Sequence, residues 1–550
     1  MRRRAAIAGL LAVVAVGSYS SALRNGFVKE DHFNIERGRA IGSLANVPAL
    51  FAHDAMWNSW GDRYDGAPVD TYRPLTMTTF FLEVAFFGRT PAPFHATSIL
   101  VHLGCVLLLF AVGRALGVSE RGAASGAVLF AVHPAISGAV HWINGRSDPL
   151  AVFFFLAALL AWLGRPARPW RGLLVALLFF AATLCKEVAF CLAAGLAPLV
   201  IRARPPPRRL AAVLRSSLPW LAGGALGLGA RLFGLERAAV HREPDQIVYA
   251  LTRMPVIWLD GLGSLLRAHG DMQSSLFETY AIVPSWKVVL GLAVVALMVG
   301  LAIWLWRRQR ALFGWGTATY LFAMAPIALL TVDEGWSGWG RYLYSAAFPL
   351  AIGAGAIVFD DLLERVTSGP LRRALMVGAA ACAALLGALT WLEGRAWFDD
   401  RTVAMSEIAD HPDVSVGYAA LAAVEDRDGR HEKALQLVDH AIRLAPKENF
   451  NHWSARARAL ILLGRRSEAF AAAHHALELE PADQNARYIH ALGLLEAGHP
   501  SESAALLLEL AREDPGFGAP RASLREGARR LGPESAFAAA LHELQQGVTQ

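Results

Sequence analysis

An all-α protein in two parts is what the sequence predicts: a polytopic helical membrane bundle over residues 1–397, then a soluble α-solenoid over 398–550. Three observations predict it. Apolar runs near or above the ~18 residues needed to cross a bilayer recur from residue 5 to about 392. Arginine clusters fill the short gaps between those runs. The last ~150 residues contain no spanning run and repeat a Gly, small-residue, Pro pattern. Hydrophobic residues make up 55% of the chain, above the ~45–50% of a soluble domain.

The first span is about 5–23, within "MRRRAAIAGLLAVVAVGSYSSAL", read as a retained helix rather than a cleaved leader. A long external loop, 24–92, follows. In it "NVPALFAHDAMWNSW" and "PLTMTTFFLEVAFFG" have the aromatic-edged pattern of interfacial helices. The remaining spans are 93–114, 120–137, 149–164, 172–186, 188–201, 210–233, 286–306, 311–331, 344–363 and 374–392, about eleven in all. Residues 172–201 are divided at Lys186-Glu187 because two short spans keep Arg171 and Arg202 on one side. One long span would also bury an ion pair in mid-membrane. A second external region is 234–285, with 250–268 re-entrant or interfacial.

The net charge of +6 does not point to nucleic acid. It resolves into Arg165/Arg168/Arg171, Arg202/Arg204/Arg208/Arg209, Arg307/Arg308/Arg310 and Arg372/Arg373, the signature of cytoplasmic loops. With those clusters inside, parity places the C-terminal domain outside. The composition and compact loops suggest a bacterial inner membrane, with the site and the repeats on the periplasmic side. Four cysteines (Cys105, Cys185, Cys191, Cys382) lie in or beside apolar segments, which argues against a disulfide framework or a zinc site.

In the tail, Gly429, Gly464 and Gly498 recur at 35 and 34 residues, as do Pro446, Pro481 and Pro515. Ala434, Ala469 and Ser503 follow at the same offset. This is tetratricopeptide spacing. Gly ends the first helix, the small residue lets the second pack closely, and Pro stops it. Three repeats are expected, 414–446, 448–481 and 482–515, then a C-terminal capping helix.

Polar groups at the outer ends of spans carry the candidate chemistry. Glu30 and Asp31 directly follow span one, with Asp31 read as general base and Glu30 as its helper; the alternative is a solvated turn. Arg73, Arg146, Lys186 and Arg341 are cations at span ends that suit a lipid-linked phosphate. Three of them have a plainer reading. Arg73 could snorkel, Arg146 could pair with Asp148, and Lys186 could neutralise Glu187. His133 and His141 hint at a divalent metal but show no third ligand.

Taken together, these motifs resemble the GT-C class of polyprenyl-phosphate sugar transferases, most closely the transmembrane and tetratricopeptide-repeat O-mannosyltransferases. The matches run in order: the acidic pair Glu30-Asp31; Tyr72-Arg73-Pro74-Leu75; Phe94-His95 with His102; His133-Pro134 leading to Gly145-Arg146-Ser147-Asp148; Lys186-Glu187; and Arg341 to Tyr344. The chain departs from the family pattern at Ser98, Ile136, Gly138 and Gly340, near the presumed donor or acceptor site. The resemblance implies inverting transfer of a sugar, most simply mannose, from a β-linked polyprenyl phosphate to a Ser or Thr hydroxyl. It implies a protein acceptor docked on the repeats. Rival readings are a glycolipid or polysaccharide acceptor, and a non-catalytic membrane-anchored scaffold. A transporter is disfavoured because no inverted repeat is visible.

Overall fold

A computed structural model describes residues 2–54, 57–60, 71–164, 169–202, 209–234, 244–270, 274–275, 283–307, 311–330, 336–337, 339–445, 447–513 and 517–546. Among the described residues the secondary structure is helical apart from a two-residue antiparallel pairing, Ser274–Ser275 with Trp336–Ser337. The chain divides into two compact units, Met1–Val403 and Ala404–Gln550, so residues 398–403 stay with the first.

The first unit is that of a membrane protein. Among the described residues six helices are long and apolar enough to cross a bilayer: Arg2–Arg24, Pro91–Ala115, Asn144–Leu163, Ser285–Leu305, Arg341–Arg365 and Gly369–Trp397. Shorter apolar helices are Pro74–Phe87, Trp170–Cys185 and Val188–Leu199. The helical path breaks at Lys186-Glu187, between Pro169–Cys185 and Val188–Gly195. The region expected to be re-entrant or interfacial forms part of one 24-residue helix, Pro244–Arg267. Arg204 and Arg208, Arg308 and Arg310, and Arg165 and Arg168 lie outside the described residues.

Packing in this unit relies on small residues, because lipid gives no hydrophobic drive to bring helices together. Gly122 and Gly126 of helix Glu120–Val132 lie against helix Trp339–Ala356. A Cβ added at Gly126 would sit 2.7 Å from the Ala351 carbonyl oxygen. All four cysteines are free thiols.

Residues Ala131 to Val152 form the centre of the unit. The sequence suggested a connection between spans. Instead this stretch folds into short helical turns (Pro134–Ile136, Gly138–His141, Asn144–Arg146), and only His133 and Asn144 in it keep partial exposure. His133 starts the first turn by accepting the Ala135 N–H at Nδ1 (3.3 Å), and Pro134 has no N–H to satisfy. Irregular backbone is tolerated here because protein, not lipid, surrounds it.

The second unit contains helix pairs: Ser415–Arg427 with His431–Leu444, Phe450–Leu462 with Arg466–Leu479, and Gln484–Glu496 with Pro500–Glu513. Each linker turns at a glycine with positive φ: Gly429 (77°), Gly464 (76°) and Gly498 (86°). The next N–H then reaches back over the helix end, as Arg465 N–H does to the Leu460 carbonyl (2.9 Å). Ala434, Ala469 and Ser503 are buried, as close packing requires. Where one capping helix was expected, two are present, Gly518–Leu531 and Ala536–Gln546, joined at Gly532 (φ 92°). Of the three prolines, Pro446 and Pro515 lie outside the described residues. Gly464→Ala should cost this unit about 1 kcal/mol, because a Cβ is strained in the left-handed region. Thermal melts of the two proteins check it, and an unchanged melt would contradict it.

Candidate active site

Span one ends in a 3-10 turn, Ser20–Arg24, and the acidic pair follows in a tight bend. Lys29 takes a left-handed backbone (φ 52°), unusual for a residue with a side chain. The bend closes with Asp31 N–H on the Val28 carbonyl (3.0 Å) and Asn34 N–H on the Glu30 carbonyl (2.9 Å). A π-helical turn, His32–Glu36, comes next.

Asp31 is fully buried. Its Oδ2 accepts the Val28 N–H (3.2 Å), and its Oδ1 accepts the Asn144 N–H (3.1 Å) and the Asn144 Nδ2 (2.7 Å). Burial pushes its carboxyl up to about 7, and the charge of Glu30 adds to that. The Val28 and Asn144 donors pull in the opposite direction without cancelling it. Glu30 is half-buried, and its Oε2 has no hydrogen-bond partner.

The four candidate cations fall into two sets. Arg146 is fully buried, and all three of its nitrogens are hydrogen-bonded. Its Nη1 donates to Glu83 Oε2 (2.5 Å) and Thr79 Oγ1 (3.1 Å), its Nη2 to the Phe94 carbonyl (2.5 Å), and its Nε to Ser98 Oγ (3.0 Å). It stacks on Phe80 at 4.9 Å. So Arg146 pairs with Glu83 and not with Asp148. The departure at Ser98 thus falls on a residue that binds Arg146.

Of the other three, Arg73 and Arg341 both lie within electrostatic reach of Lys186. Lys186 donates to Asp148 Oδ2 (2.5 Å) and lies 4.4 Å from the Tyr342 ring. Arg73 donates to Glu187 Oε1 (3.0 Å), with Arg231 at 3.8 Å on the other oxygen. Lys186 and Glu187 therefore bind different partners. Arg341 is 8% exposed and, among the described residues, forms no ion pair with a carboxylate. Its Nη2 donates to the Tyr342 hydroxyl (3.3 Å), its guanidinium faces Trp142 (4.9 Å) and Tyr342 (5.1 Å), and its buried Nε is unsatisfied. The charges of Asp148 and Glu30 both act on it. Among the described residues no carboxylate closes an ion pair on this buried cation, which leaves it able to take an arriving anion.

The supporting residues are placed by contacts inside the first unit. His102 Nδ1 shares a hydrogen bond with the Tyr344 hydroxyl (2.8 Å), and its Nε2 faces the Ala131 carbonyl (3.2 Å), all within the core. His95 Nε2 is 3.5 Å from the Gly26 carbonyl, just before the acidic bend. His141 is buried against Tyr19, with 4.8 Å between ring centroids. Ser345 Oγ donates to Asp148 Oδ1 (3.2 Å). Among the described residues no group of three or more His, Cys, Asp and Glu could hold a metal ion. The divalent metal left open by His133 and His141 has no such ligand set there.

Glu83, Asn144, His32 and Asp400 belong to the site and were not singled out from sequence. Only Glu83 left a clear sign, as the one acidic residue in the apolar helix Pro74–Phe87.

No family model matches the chain. It is similar to protein O-mannosyl-transferase Tmtc1 of Drosophila melanogaster, 31% identical over 188 residues, which is 34% of this chain and 21% of that protein. It is similar to protein O-mannosyl-transferase TMTC1 of Mus musculus, 34% identical over 161 residues (29% and 17%). A third relative is protein O-mannosyl-transferase TMTC4 of Homo sapiens, 29% identical over 198 residues (32% and 26%). The matches therefore span about a quarter or less of these relatives' length. The relatives bear the name of the family that the ordered motifs resemble.

Proposed function

We propose that this protein transfers a sugar, most simply mannose, from a polyprenyl phosphate to a Ser or Thr hydroxyl of an exported polypeptide. The observation that carries this reading is the buried Arg341, without a carboxylate partner among the described residues, within electrostatic reach of Lys186 and Glu30, with Arg73 in turn near Lys186. A sugar phosphate supplies the missing anion, and the neighbouring carboxylate pair supplies the base. The relatives' shared name, protein O-mannosyl-transferase, favours a protein acceptor over a glycolipid or a scaffold role.

In this mechanism Asp31 removes the proton from the acceptor hydroxyl as its oxygen bonds to the anomeric carbon. The bond from that carbon to the phosphate oxygen breaks, inverting the configuration. Arg341, Lys186 and Arg73 stabilise the charge that builds on the departing phosphate. Asp148 orients Lys186, and Glu187 orients Arg73. Arg146 acts at one remove: it anchors the turn Asn144–Arg146, and Asn144 holds Asp31. The site faces the non-cytoplasmic side of a bacterial inner membrane, a reading supported by the composition and the arginine clusters of the sequence. The helix pairs of the second unit, with tetratricopeptide spacing, hold the acceptor polypeptide.

Arg341→Gln tests the phosphate site. Transfer from polyprenyl-phosphate mannose should fall about 10²-fold, as for loss of one preorganised donor to a developing anion. Arg341→Lys should recover part of it, since it keeps the charge but loses the planar fork. Transfer by Arg341→Gln at the wild-type rate would remove Arg341 from the donor site.

A further inference from the structure

The segment that leads out of the first unit lies alongside the acidic bend and bonds to it repeatedly. Asn25 Nδ2 donates to the Gly394 carbonyl (2.9 Å), and Gly26 N–H donates to the Phe398 carbonyl (2.9 Å). Asp400 then uses both carboxylate oxygens on the bend. Its Oδ1 accepts the Lys29 N–H (3.0 Å), and its Oδ2 meets His32 Nε2 (3.0 Å). His32 is held on its other side by Glu36 Oε2 at Nδ1 (2.6 Å). Below these contacts Trp397 stacks on Trp142 (6.0 Å, 14°), and Val28, Trp142, Trp397 and Val403 form a small apolar cluster.

Asp400 is the first residue of helix Asp400–Asp410, and capping belongs to the position before it. That duty falls to its neighbour: Asp399 Oδ1 accepts the Thr402 N–H (2.8 Å), and Thr402 Oγ1 lies 3.0 Å from the Asp399 N–H. Asp400 thus reaches residues almost the whole first unit away in sequence. The two it reaches flank Glu30-Asp31 on either side. One of them, Lys29, is the left-handed residue whose backbone sets the direction of the pair. A strained backbone persists only where its surroundings hold it.

We infer that Asp400 is a positioning residue: by gripping Lys29 and His32 it fixes the bend that presents Glu30 and Asp31 to substrate. The assignment rests on the reading of Asp31 as the base. It adds a second strand of chain, 394–400, to the machinery that aims the acidic pair. Asp400 touches no reacting atom. Its removal should therefore loosen the bend and slow the chemical step, with little effect on donor binding at the cations.

The test is Asp400→Ala and Asp400→Asn in the full chain, purified in detergent, with two readouts. The first is amide hydrogen exchange over residues 26–36. The second is kcat and KM for polyprenyl-phosphate mannose. In Asp400→Ala, exchange at Lys29 and its neighbours should speed up about 10-fold or more. Its kcat should fall about 10- to 100-fold, as for a small misplacement of a reacting group, with KM for the donor changed less than about threefold. Asp400→Asn keeps an oxygen for the Lys29 N–H and should recover much of both losses. Unchanged exchange over 26–36, or a kcat within about twofold of wild type, would overturn the assignment. If Asp400→Ala does not fold, His32→Ala, which removes the contact to Asp400 Oδ2, decides on the same two readouts, with the same losses expected and the same results overturning the assignment. A wild-type protein that transfers no sugar would defeat the reading of Asp31, while the exchange comparison still decides whether Asp400 holds the bend.

Discussion

Transfer by Asp31→Asn should fall about 10²- to 10⁴-fold at neutral pH, the usual contribution of a positioned general base. The wild-type rate should also depend on pH in a way that an ordinary carboxylate would not produce. Burial holds the Asp31 carboxyl up to about 7. The base works only when deprotonated, so kcat/KM should climb as pH rises through about 7 and level off above it. A solvated carboxylate would place that limb near pH 4. The donors from Val28 and Asn144 matter here because they favour the charged form, and without them burial would act unopposed. Glu30→Gln should cost less, since Glu30 is the helper and not the base. A wild-type profile flat from pH 5 to 8, or an Asp31→Asn enzyme as fast as wild type, would remove Asp31 from the chemistry.

Arg146→Ala should destabilise the first unit by about 3–5 kcal/mol, because it strands the Glu83 carboxylate in the interior. Phe94 and Ser98 would lose their donor as well, and the turn that carries Asn144 would lose its anchor. The double variant Glu83→Leu/Arg146→Leu should be milder, since an apolar pair of similar size avoids the unpaired charge. Thermal midpoints in detergent report the difference. This outcome separates two roles. A phosphate-binding arginine would leave the fold intact on truncation and weaken donor binding. An internal tie lowers the melting midpoint whether or not donor is present. A wild-type midpoint for Arg146→Ala would contradict the tie and restore Arg146 to the donor site.

Local sequence gave away the parts of this protein that local chemistry controls. The apolar runs mark the long helices because a bilayer imposes length and composition together. The glycines at 429, 464 and 498 mark the helix linkers because only glycine enters the left-handed region without strain. Gly532 continues that series 34 residues on, and overlooking it turned a helix pair into a single expected cap. Burial was harder to read. "HPAISGAVHWINGRSDPL" has the polar residues of a surface connection, yet it is packed inside, where Asn144, Arg146 and Asp148 bond to distant parts of the chain while the His141 ring nitrogens, Trp142 Nε1 and Ser147 Oγ are buried without a hydrogen bond.

Long-range pairing was not legible at all. Four cations at span ends are equivalent in sequence, and only folding divides them. Arg146 meets Glu83, Lys186 meets Asp148, Arg73 meets Glu187, and Arg341 is left without a carboxylate among the described residues. The plainer readings of Arg146 with Asp148 and of Lys186 with Glu187 joined neighbours in sequence, whereas the bonds run between helices. Asp400 shows the same limit. Nothing near it in the chain points to Lys29 and His32, some 370 residues earlier.

The most direct measurement is sugar transfer by the full chain, purified in detergent and supplied with radiolabelled polyprenyl-phosphate mannose and exported polypeptides rich in Ser and Thr. The account predicts label on polypeptide, alkali-labile as an O-linked sugar is, from the wild-type protein and almost none from Asp31→Asn at equal melting midpoint. No label on polypeptide from any polyprenyl-linked sugar, or equal labelling by the two proteins, would contradict it.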